Sequence, residues 1–292
     1  MAILIDEKTR VLIQAITGTV GSFQAKIMQE YGTNIVAGVT PGKGGQLVHG
    51  IPVYDSVAEA TAAHEIDAAF GFVPARFARD AALEIIDAGI GLLVLTTEGV
   101  PDQDMLTIIR YAQVRGATVV GPDTPGLVSP GKCKLGVHPN RVLLPGHVGV
   151  LSKSGALSYE TCKTLTEAGI GQSTIVGIGG GPFWGLSQEA VLARFQADPE
   201  TRVIVMLGEV GGTMEQQAAA YIKTHVAKPV VALIVGRAAP PGAQMGHAGA
   251  IIEGEEGTAA SKIRALQEAG AHIAYRPSEI PGIIRGLGVI GS

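Results

Sequence analysis

Short apolar runs alternate with amphipathic stretches along most of the chain. In the first half, the amphipathic stretches at 75–87 and 105–115 have the apolar spacing of helices. The apolar runs on either side of such stretches predict strands at 11–16, 35–39, 68–73, 92–95 and 118–120. Short strands that are apolar throughout and are separated by helices are typical of a parallel sheet covered on both faces.

This alternation stops between residues 121 and 146, in a segment that contains Pro122, Pro125, Pro130, Pro139 and Pro145. Further on, the sequence predicts four strands and a final helix-strand-helix unit, at 148–151, 174–178, 203–207, 230–235 and 257 onward. Because prolines interrupt both helices and central strands, we predict two α/β domains, at residues 1–125 and 147–292, joined by a linker at 126–146.

Ligands of open parallel sheets bind beyond the carboxyl ends of the strands, so the residues that follow each predicted strand are candidates for a site. The first strand runs into a turn that opens a helix and contains Thr17, Gly18, Thr19 and Val20. Free backbone N–H groups at such a helix start favour an anion. The G-x-G-x-x-G pattern is incomplete, however, and a glycine-rich turn without a ligand fits the sequence equally well.

The loop after the second strand carries Lys43 among glycines, where NAD-binding chains have an Asp or Glu for the ribose hydroxyls. A lysine there suits a phosphorylated ribose, as in NADP or the 3′-phosphate of coenzyme A (CoA). A solvent-exposed loop lysine is the commoner alternative. The fourth strand is followed by Thr96, Thr97 and Glu98. Glu98 is either a ligand contact or the start of a turn.

Three strand ends of the second half carry candidate reactive groups. Ser154 and Gly155 begin a helix and can bind an anion, unless Ser154 is simply an N-cap. Glu209 has glycines on both sides, and His247 lies in a loop of small residues without metal-ligand spacing. At one edge of one sheet, Glu209 can orient one imidazole nitrogen and leave the other nucleophilic. A lone histidine is more often structural, but the three groups together favour catalysis.

Composition narrows the function classes. The 292 residues carry a formal net charge of −4, which indicates neither nucleic acid nor an anionic membrane as a partner. No apolar run is long enough for a membrane span, and the charged N-terminal residues do not resemble a signal peptide. Two cysteines, Cys133 and Cys162, do not make a disulfide framework, which predicts a cytoplasmic protein.

A pattern like a P-loop occurs at 126–132, followed by Cys133. A Ser or Thr is needed at that position to reach Mg²⁺, and the prolines of the segment do not fit a strand-loop-helix unit. We therefore predict no ATP site in this chain.

Several of these segments resemble the α subunits of succinyl-CoA synthetase. The resemblance extends from about residue 3 to 275 and is carried by the motifs at 39–45, 96–99, 154–155, 208–212 and 245–252. It implies an N-terminal Rossmann-like CoA-binding domain followed by a flavodoxin-like parallel-sheet domain. It also implies an ATP-grasp β partner, in an αβ or α2β2 assembly, that binds ATP or GTP with Mg²⁺, and no metal in this chain.

The resemblance also implies roles for the candidate residues. His247 would carry a phosphoryl group, Glu209 would orient its ring, and Ser154 with Gly155 would bind phosphate. Tyr159 would lie near a small carboxylic acid substrate. CoA would contact Thr17, Gly18, Thr19, Val20, Lys43, Thr96, Thr97 and Glu98.

Four segments depart from the pattern of that family. Asp123 and Thr124 stand where the family usually has Asn and Cys, and Lys153 and Ala156 stand where it usually has Arg and Thr. Gly181 stands where it usually has Asp, shortly before the single tryptophan, Trp184. Ala243 and Gln244 replace the basic residues that are common just before the Met-Gly-His motif. All lie close to the expected site, so they put the identity of the acid in question more than the class of reaction.

We therefore interpret the chain as the α subunit of an acid–thiol ligase, with succinate–CoA ligase as the first candidate. A malate– or citrate–CoA ligase α subunit is an alternative within the same class. Outside it, an NADP-binding oxidoreductase is compatible with Lys43 but leaves His247 unexplained. A non-catalytic CoA-binding regulator is the third alternative.

Overall fold

The computed structural model describes residues 3–240, 242 and 244–290. The first half of the chain forms a seven-stranded sheet. Its strands are β1 (Arg10–Gln14), β2 (Asn34–Val39), β3 (Leu47–Val48), β4 (Ile51–Tyr54), β5 (Ala68–Gly71), β6 (Leu92–Leu95) and β7 (Thr118–Val120). Their spatial order is β3-β4-β2-β1-β5-β6-β7, and every pair is parallel except β3 with β4. The helices of this half are α1 (Thr19–Glu30), α2 (Val57–Ala63), α3 (Ala75–Asp87) and α4 (Asp102–Arg115).

The second half forms another seven-stranded sheet. Its strands are β8 (Gly126–Ser129), β9 (Cys133–Gly136), β10 (Pro145–Ser152), β11 (Gln172–Gly177), β12 (Val203–Glu209), β13 (Val230–Val235) and β14 (His272–Ala274). The order is β14-β13-β12-β10-β11-β8-β9, with β8 and β9 antiparallel at one edge. The helices are α5 (Gly155–Glu167), α6 (Gln188–Ala197), α7 (Met214–His225), α8 (Ala259–Glu268) and α9 (Ile280–Gly286), with 3₁₀ turns at Asn140–Val142 and Pro277–Glu279.

These two parallel-dominated sheets, each with helices, confirm the predicted α/β fold, Rossmann-like and then flavodoxin-like. Alternate residues of a central strand are buried on opposite faces of the sheet. Leu12 of β1 packs in a cluster with Ile85 of α3 and Ile108 of α4, whereas Ile13 belongs to the cluster on the other face. Burial of both faces explains why these strands are apolar without alternation.

Residues 126–146, the predicted linker, contain β8 and β9. The hairpin of these strands is hydrogen-bonded to the second sheet but also contacts the first half of the chain. Thr33, after α1, donates its hydroxyl to the Lys134 carbonyl at 2.8 Å, and the Tyr31 hydroxyl accepts the Gly131 N–H at 3.1 Å. The hairpin therefore connects both halves, and the exact domain limits stay a prediction.

The two halves also share apolar packing. One cluster of buried side chains includes Ile13 and Phe70 of the first sheet together with Leu127, Leu135 and Leu151 of the second. Within the described parts of the chain, no helix has both the length and the apolar character needed to cross a membrane.

Candidate active site

The carboxyl ends of neighbouring strands place the candidate residues of the second half at one edge of the sheet. Strands β10 and β12 are adjacent and parallel, with Ser152 opposite Leu207, so Lys153 and Glu209 both lie just beyond the paired region. The loop that follows β13 carries His247 back to the same edge. Parallel pairing thus brings together residues that are far apart in sequence.

A short contact at this edge joins His247 and Glu209. Nδ1 of His247 lies 2.6 Å from Oε2 of Glu209. The Glu209 side chain is buried, with 6% exposed, whereas 26% of the His247 side chain remains exposed. A carboxylate accepts hydrogen bonds, so this contact places a proton on Nδ1 and, in the neutral ring, leaves the lone pair on Nε2.

Electrostatics at this pair favour the charged forms. The hydrogen bond to Glu209 raises the pKa of His247 above its ordinary value, although burial opposes the shift. Burial would raise the pKa of Glu209, but the hydrogen bond from His247 and the charge of Lys153 outweigh it and lower that pKa. The carboxylate is therefore suited to stabilise a cationic or phosphorylated imidazole.

Two glycines allow the His247 loop to approach the sheet. A Cβ atom added at Gly180 would lie 2.5 Å from Cγ of His247, and one at Gly211 would lie 2.2 Å from the Gly249 carbonyl oxygen. Gly249 donates its N–H to the Gly180 carbonyl at 3.3 Å. The contact at Gly211 is with backbone, so glycine is required there, whereas a side chain at Gly180 would force the His247 ring to move.

Three further charged residues, which the sequence did not mark as site residues, lie behind Glu209. Nζ of Lys153 lies 3.4 Å from Oε1 of Glu209 and 3.6 Å from Oε1 of Glu215. Lys262 contacts the other oxygen of Glu215. Only the departure at Lys153 was visible in the sequence, because Glu215 and Lys262 lie in helices whose charged residues usually face solvent.

The remaining candidates of the second half lie at the start of α5. Ser154 accepts the Leu157 N–H at 3.3 Å and is thus the N-cap, with Gly155 as the first helical residue. The Tyr159 ring contacts the buried His138 ring edge-on, at 4.7 Å between centroids. Burial raises the pKa of Tyr159 to about 12, so its hydroxyl stays protonated at neutral pH.

In the first half, the candidates lie at the carboxyl edge of that sheet. Gly18 is the N-cap of α1 and has no side-chain cap, while Thr19 and Val20 form the first turn and are exposed. Thr17 donates its N–H to the Thr40 hydroxyl at 3.5 Å, which holds this turn against the loop that bears Lys43. Lys43 itself is exposed.

Thr96 and Thr97 face the neighbouring strand end. Their hydroxyls donate to the carbonyls of Gly71 and Val73, each at 2.7 Å, and Glu98 is exposed beside them. A cavity of about 610 Å³ opens at the same edge, between β1, β2 and α3. It is lined mainly by apolar groups that the sequence analysis did not select, including Val39, Pro41, Val73, Pro74 and Phe77.

Asp123 connects the edges of the two sheets. Its N–H donates to the Thr97 carbonyl at 3.0 Å, and its backbone has a left-handed φ of 52°. Burial raises the pKa of the Asp123 carboxyl, and the charge of Glu98 adds to this effect. His247 and Glu98 thus both act on this carboxyl, so the candidate residues of the two halves belong to one continuous region.

Trp184 occupies the loop after β11. Its indole N–H donates to the Gly179 carbonyl at 2.9 Å, and its ring centroid lies 5.2 Å from Nζ of Lys153. In the described ranges, no three or more His, Cys, Asp or Glu side chains are grouped as metal ligands.

Two family models match the chain: a CoA binding domain at residues 6–99 and a CoA-ligase domain at residues 151–272. Together with the two sheets, they define a two-domain CoA ligase. The chain is 54% identical over 274 residues to succinate–CoA ligase [ADP-forming] subunit alpha 1 of Archaeoglobus fulgidus, with 94% of each chain covered. It is also 54% identical to the corresponding alpha subunit of Methanothermobacter thermautotrophicus, with 98% of each covered. The chain belongs to the family of succinate–CoA ligase α subunits.

Solved structures share the fold at lower identity. ATP citrate lyase of Methanosaeta concilii superposes with a TM-score of 0.89 at 24% identity, over 99% of this chain and 52% of that one. A dinucleotide-forming acetyl-coenzyme A synthetase of Ca. Korarchaeum cryptofilum superposes with a TM-score of 0.74 at 21% identity, over 92% and 58%. This chain spans a little more than half of each of those chains. The identity to the two α subunits and the two family models confirm the resemblance identified from the sequence.

Proposed function

We propose that this chain is the α subunit of a succinate–CoA ligase that couples nucleotide cleavage to thioester formation through a phosphohistidine at His247. One observation carries the proposal: a half-buried imidazole whose Nδ1 is 2.6 Å from a buried carboxylate, in a glycine-lined loop beyond a parallel sheet. Nδ1 is occupied by Glu209, and Nε2 is the nucleophile.

In the first step, Nε2 of His247 attacks the terminal phosphorus of the nucleotide. An N–P bond forms while the bond from phosphorus to the leaving diphosphate oxygen breaks. The ring becomes cationic because Nδ1 keeps its proton, and Glu209 offsets that charge. At the N-terminus of α5, the hydroxyl hydrogen of Ser154, the backbone N–H of Gly155 and the helix dipole favour the phosphoryl oxygens.

In the second step, a carboxylate oxygen of the acid attacks the same phosphorus and the N–P bond breaks. His247 returns to its neutral form and an acyl phosphate remains. The sulfur of CoA then attacks the acyl carbon, the bond from that carbon to the phosphate oxygen breaks, and the departing phosphate takes the thiol proton. We place Tyr159 beside the acid during these steps, where its protonated hydroxyl can donate a hydrogen bond.

We assign CoA to the edge formed by Thr17, Gly18, Thr19, Val20, Lys43, Thr96, Thr97 and Glu98. Exposed Lys43 suits the 3′-phosphate, and the apolar cavity nearby suits the non-polar part of the molecule. The match of residues 6–99 to a CoA binding domain supports this location.

We assign the nucleotide and Mg²⁺ to an ATP-grasp β partner in an αβ or α2β2 assembly. The relatives are named alpha subunits and ADP-forming, which supports a second chain and ATP as the nucleotide. We also assign the ligase to the cytoplasm, since both cysteines are free and buried rather than paired. The names of the relatives favour succinate over malate or citrate as the acid.

The test is phosphorylation of the full chain by labelled ATP in the presence of a β subunit from the same source. We expect an acid-labile phosphoryl group in the wild type, none in His247→Asn, and thioester formation that is fastest with succinate. His225→Asn, at an exposed histidine in the last turn of α7, is the matched control and should keep both activities. Label that persists in the His247 variant would exclude this histidine as the carrier.

A further inference from the structure

Four charged side chains form a buried network next to the proposed phosphohistidine: Lys153, Glu209, Glu215 and Lys262. Their exposed fractions run from 0% to 6%. Lys153 lies between the two carboxylates, at 3.4 Å from Glu209 and 3.6 Å from Glu215, and Lys262 pairs with Glu215 on the far side. The network alternates in sign from α8 to the imidazole ring.

Burying four ionised groups costs free energy that their mutual attraction only partly returns. The hydrogen bond between Glu209 and His247 explains one of the four. The other three contact neither the ring nor the open side of the site, so their presence needs another reason. Hydrophobic residues of the same size would pack here at lower cost, unless the charges act on Glu209.

The contacts of Lys153 indicate what the network does. Glu209 has two oxygens, of which Oε2 faces His247 and Oε1 faces the ammonium of Lys153. A carboxylate with a hydrogen bond at one oxygen and an ion-pair contact at the other is restrained from rotating away from the ring. Glu215 and Lys262 fix the ammonium in turn, because Glu215 also accepts the Glu209 N–H at 3.3 Å and Lys262 donates to the Gly211 carbonyl.

Trp184 packs against Lys153 and covers this end of the network. Its ring lies 5.2 Å from the ammonium of Lys153, and its indole N–H is bonded to Gly179, the residue before the glycine that contacts His247. With 2% of its side chain exposed, Lys153 is therefore kept from solvent, where its charge would be screened.

We propose that Lys153 is a positioning residue for His247, which fixes Glu209 against Nδ1 and disfavours a proton on Nε2. The inference rests on the proposed function in taking Nε2 as the nucleophile. The charged groups that act on the ring are Glu209 at the end of β12, Asp123 beyond β7 and Lys153 beyond β10. Lys153 is the cation of this set, so its removal leaves two carboxylates that favour a doubly protonated ring.

The first experiment is a ¹⁵N-histidine NMR titration of the full chain, without partner or nucleotide. In Lys153→Met, His247 should titrate at a pH higher by about one unit than in the wild type, the size expected from losing one nearby charge in a partly buried site. Lys153→Arg should titrate like the wild type. Lys132→Met, which breaks an ion pair with Glu200 at the opposite edge of the sheet, is the matched control and should not shift His247.

The second experiment measures the rate of phosphorylation against pH in the complex with the β subunit. Lys153→Met should be about tenfold slower on the acid limb but regain most of the rate at high pH, since only the neutral ring attacks. A loss that is equal at every pH, or an unshifted titration of His247, would overturn the proposal. If Lys153→Met does not fold, Lys153→Gln takes its place under the same criteria.

The proposed function and the positioning role of Lys153 can be contradicted by different results. A wild-type chain that takes up no phosphoryl group contradicts the proposed function, whereas the NMR titration tests the action of Lys153 on the ring by itself. An unshifted titration beside normal phosphorylation contradicts only the positioning role.

Discussion

At the scale of the residue, the second half of the chain contains several buried polar groups besides those of the site. His138 is fully buried, with Nε2 at 3.0 Å from the Ser158 hydroxyl and its ring against Tyr159. Burial and the nearby charge of Lys134 lower the pKa of His138 to about 3. The folded protein thus keeps this ring neutral at pH values where a free histidine is protonated.

This difference makes stability depend on pH. Between about pH 6.5, the ordinary pKa of histidine, and pH 3, the unfolded chain binds a proton at His138 that the folded chain does not. The free energy of unfolding therefore falls as the pH drops through this window, by about 2 kcal/mol at pH 5 relative to neutral pH. His138→Met should remove that part of the decline, as measured by urea unfolding at pH 7 and pH 5.

The wild type and His138→Met are compared by how much the free energy of unfolding changes between pH 7 and pH 5. The absolute values are not compared, since His138→Met also loses the hydrogen bond with Ser158 at every pH. His225→Asn is the control and should decline with pH like the wild type, because that ring is exposed. An equal decline in the wild type and in His138→Met would contradict the prediction.

The sequence predicted that Glu209 and His247 meet, because both follow strands of one parallel sheet and such ends share an edge. It did not predict Lys153, Glu215 and Lys262 as a buried network. A charged residue in an amphipathic helix usually faces solvent, and only the packing of α7 and α8 against the sheet decides otherwise. The functional roles of the selected residues stay predictions.

At the scale of the element, the strands predicted for the first sheet and the centre of the second match observed strands closely. The short strands β3, β4, β8 and β9 were not predicted. Each has four residues or fewer, and Pro52 and the turn at Pro130 are typical of loops or edge strands. Their pairing depends on neighbours distant in sequence, such as the contact of β8 with β11, which a local pattern does not contain.

Gly180, in the loop after β11, lies against the His247 ring. In Gly180→Ala, the new Cβ would lie 2.5 Å from Cγ of His247, so the ring must move away from Glu209. A displacement of about 1 Å at a reacting group can cost about 100-fold in rate, and we expect a loss of phosphorylation of that order with the fold retained. Phosphorylation rates and circular dichroism of the variant measure the two quantities.

Gly91→Ala is the matched control, because a Cβ at Gly91 meets no atom within 4 Å. This variant should phosphorylate at the wild-type rate. If Gly180→Ala is equally active, the ring has room that the contact with Gly180 does not indicate, and the loop does not set its position.

At the scale of the whole molecule, the two sheets bring their carboxyl edges to one region. Asp123 contacts the end of the first sheet through Thr97 and lies among the charges that act on His247. In the proposed function, CoA along the first edge would therefore present its thiol to an acyl group formed at the second. The β8–β9 hairpin and the shared apolar cluster keep the two edges in fixed relation.

CoA binding to the full chain tests this arrangement. Lys43→Ala should weaken CoA about tenfold, the effect of losing one charge-assisted contact to phosphate, and should leave dephospho-CoA unchanged. Lys223→Ala, at an exposed lysine in α7, is the control and should bind both ligands like the wild type. Equal loss for CoA and dephospho-CoA would place Lys43 away from the 3′-phosphate. Isothermal titration calorimetry measures the six affinities, those of the wild type and of the two variants for each ligand.

Trp184 is the only tryptophan among the 292 residues, and its ring lies against the ammonium of Lys153. The intrinsic fluorescence of the chain therefore comes mainly from one indole, held at the centre of the region where the two sheets meet. Emission from this indole responds to the charge and polarity around it, so the phosphorylation proposed at His247 would take place near an intrinsic fluorescent probe. Trp184, in the loop that departs from the pattern of the family, can thus report on this region by its fluorescence without an added dye.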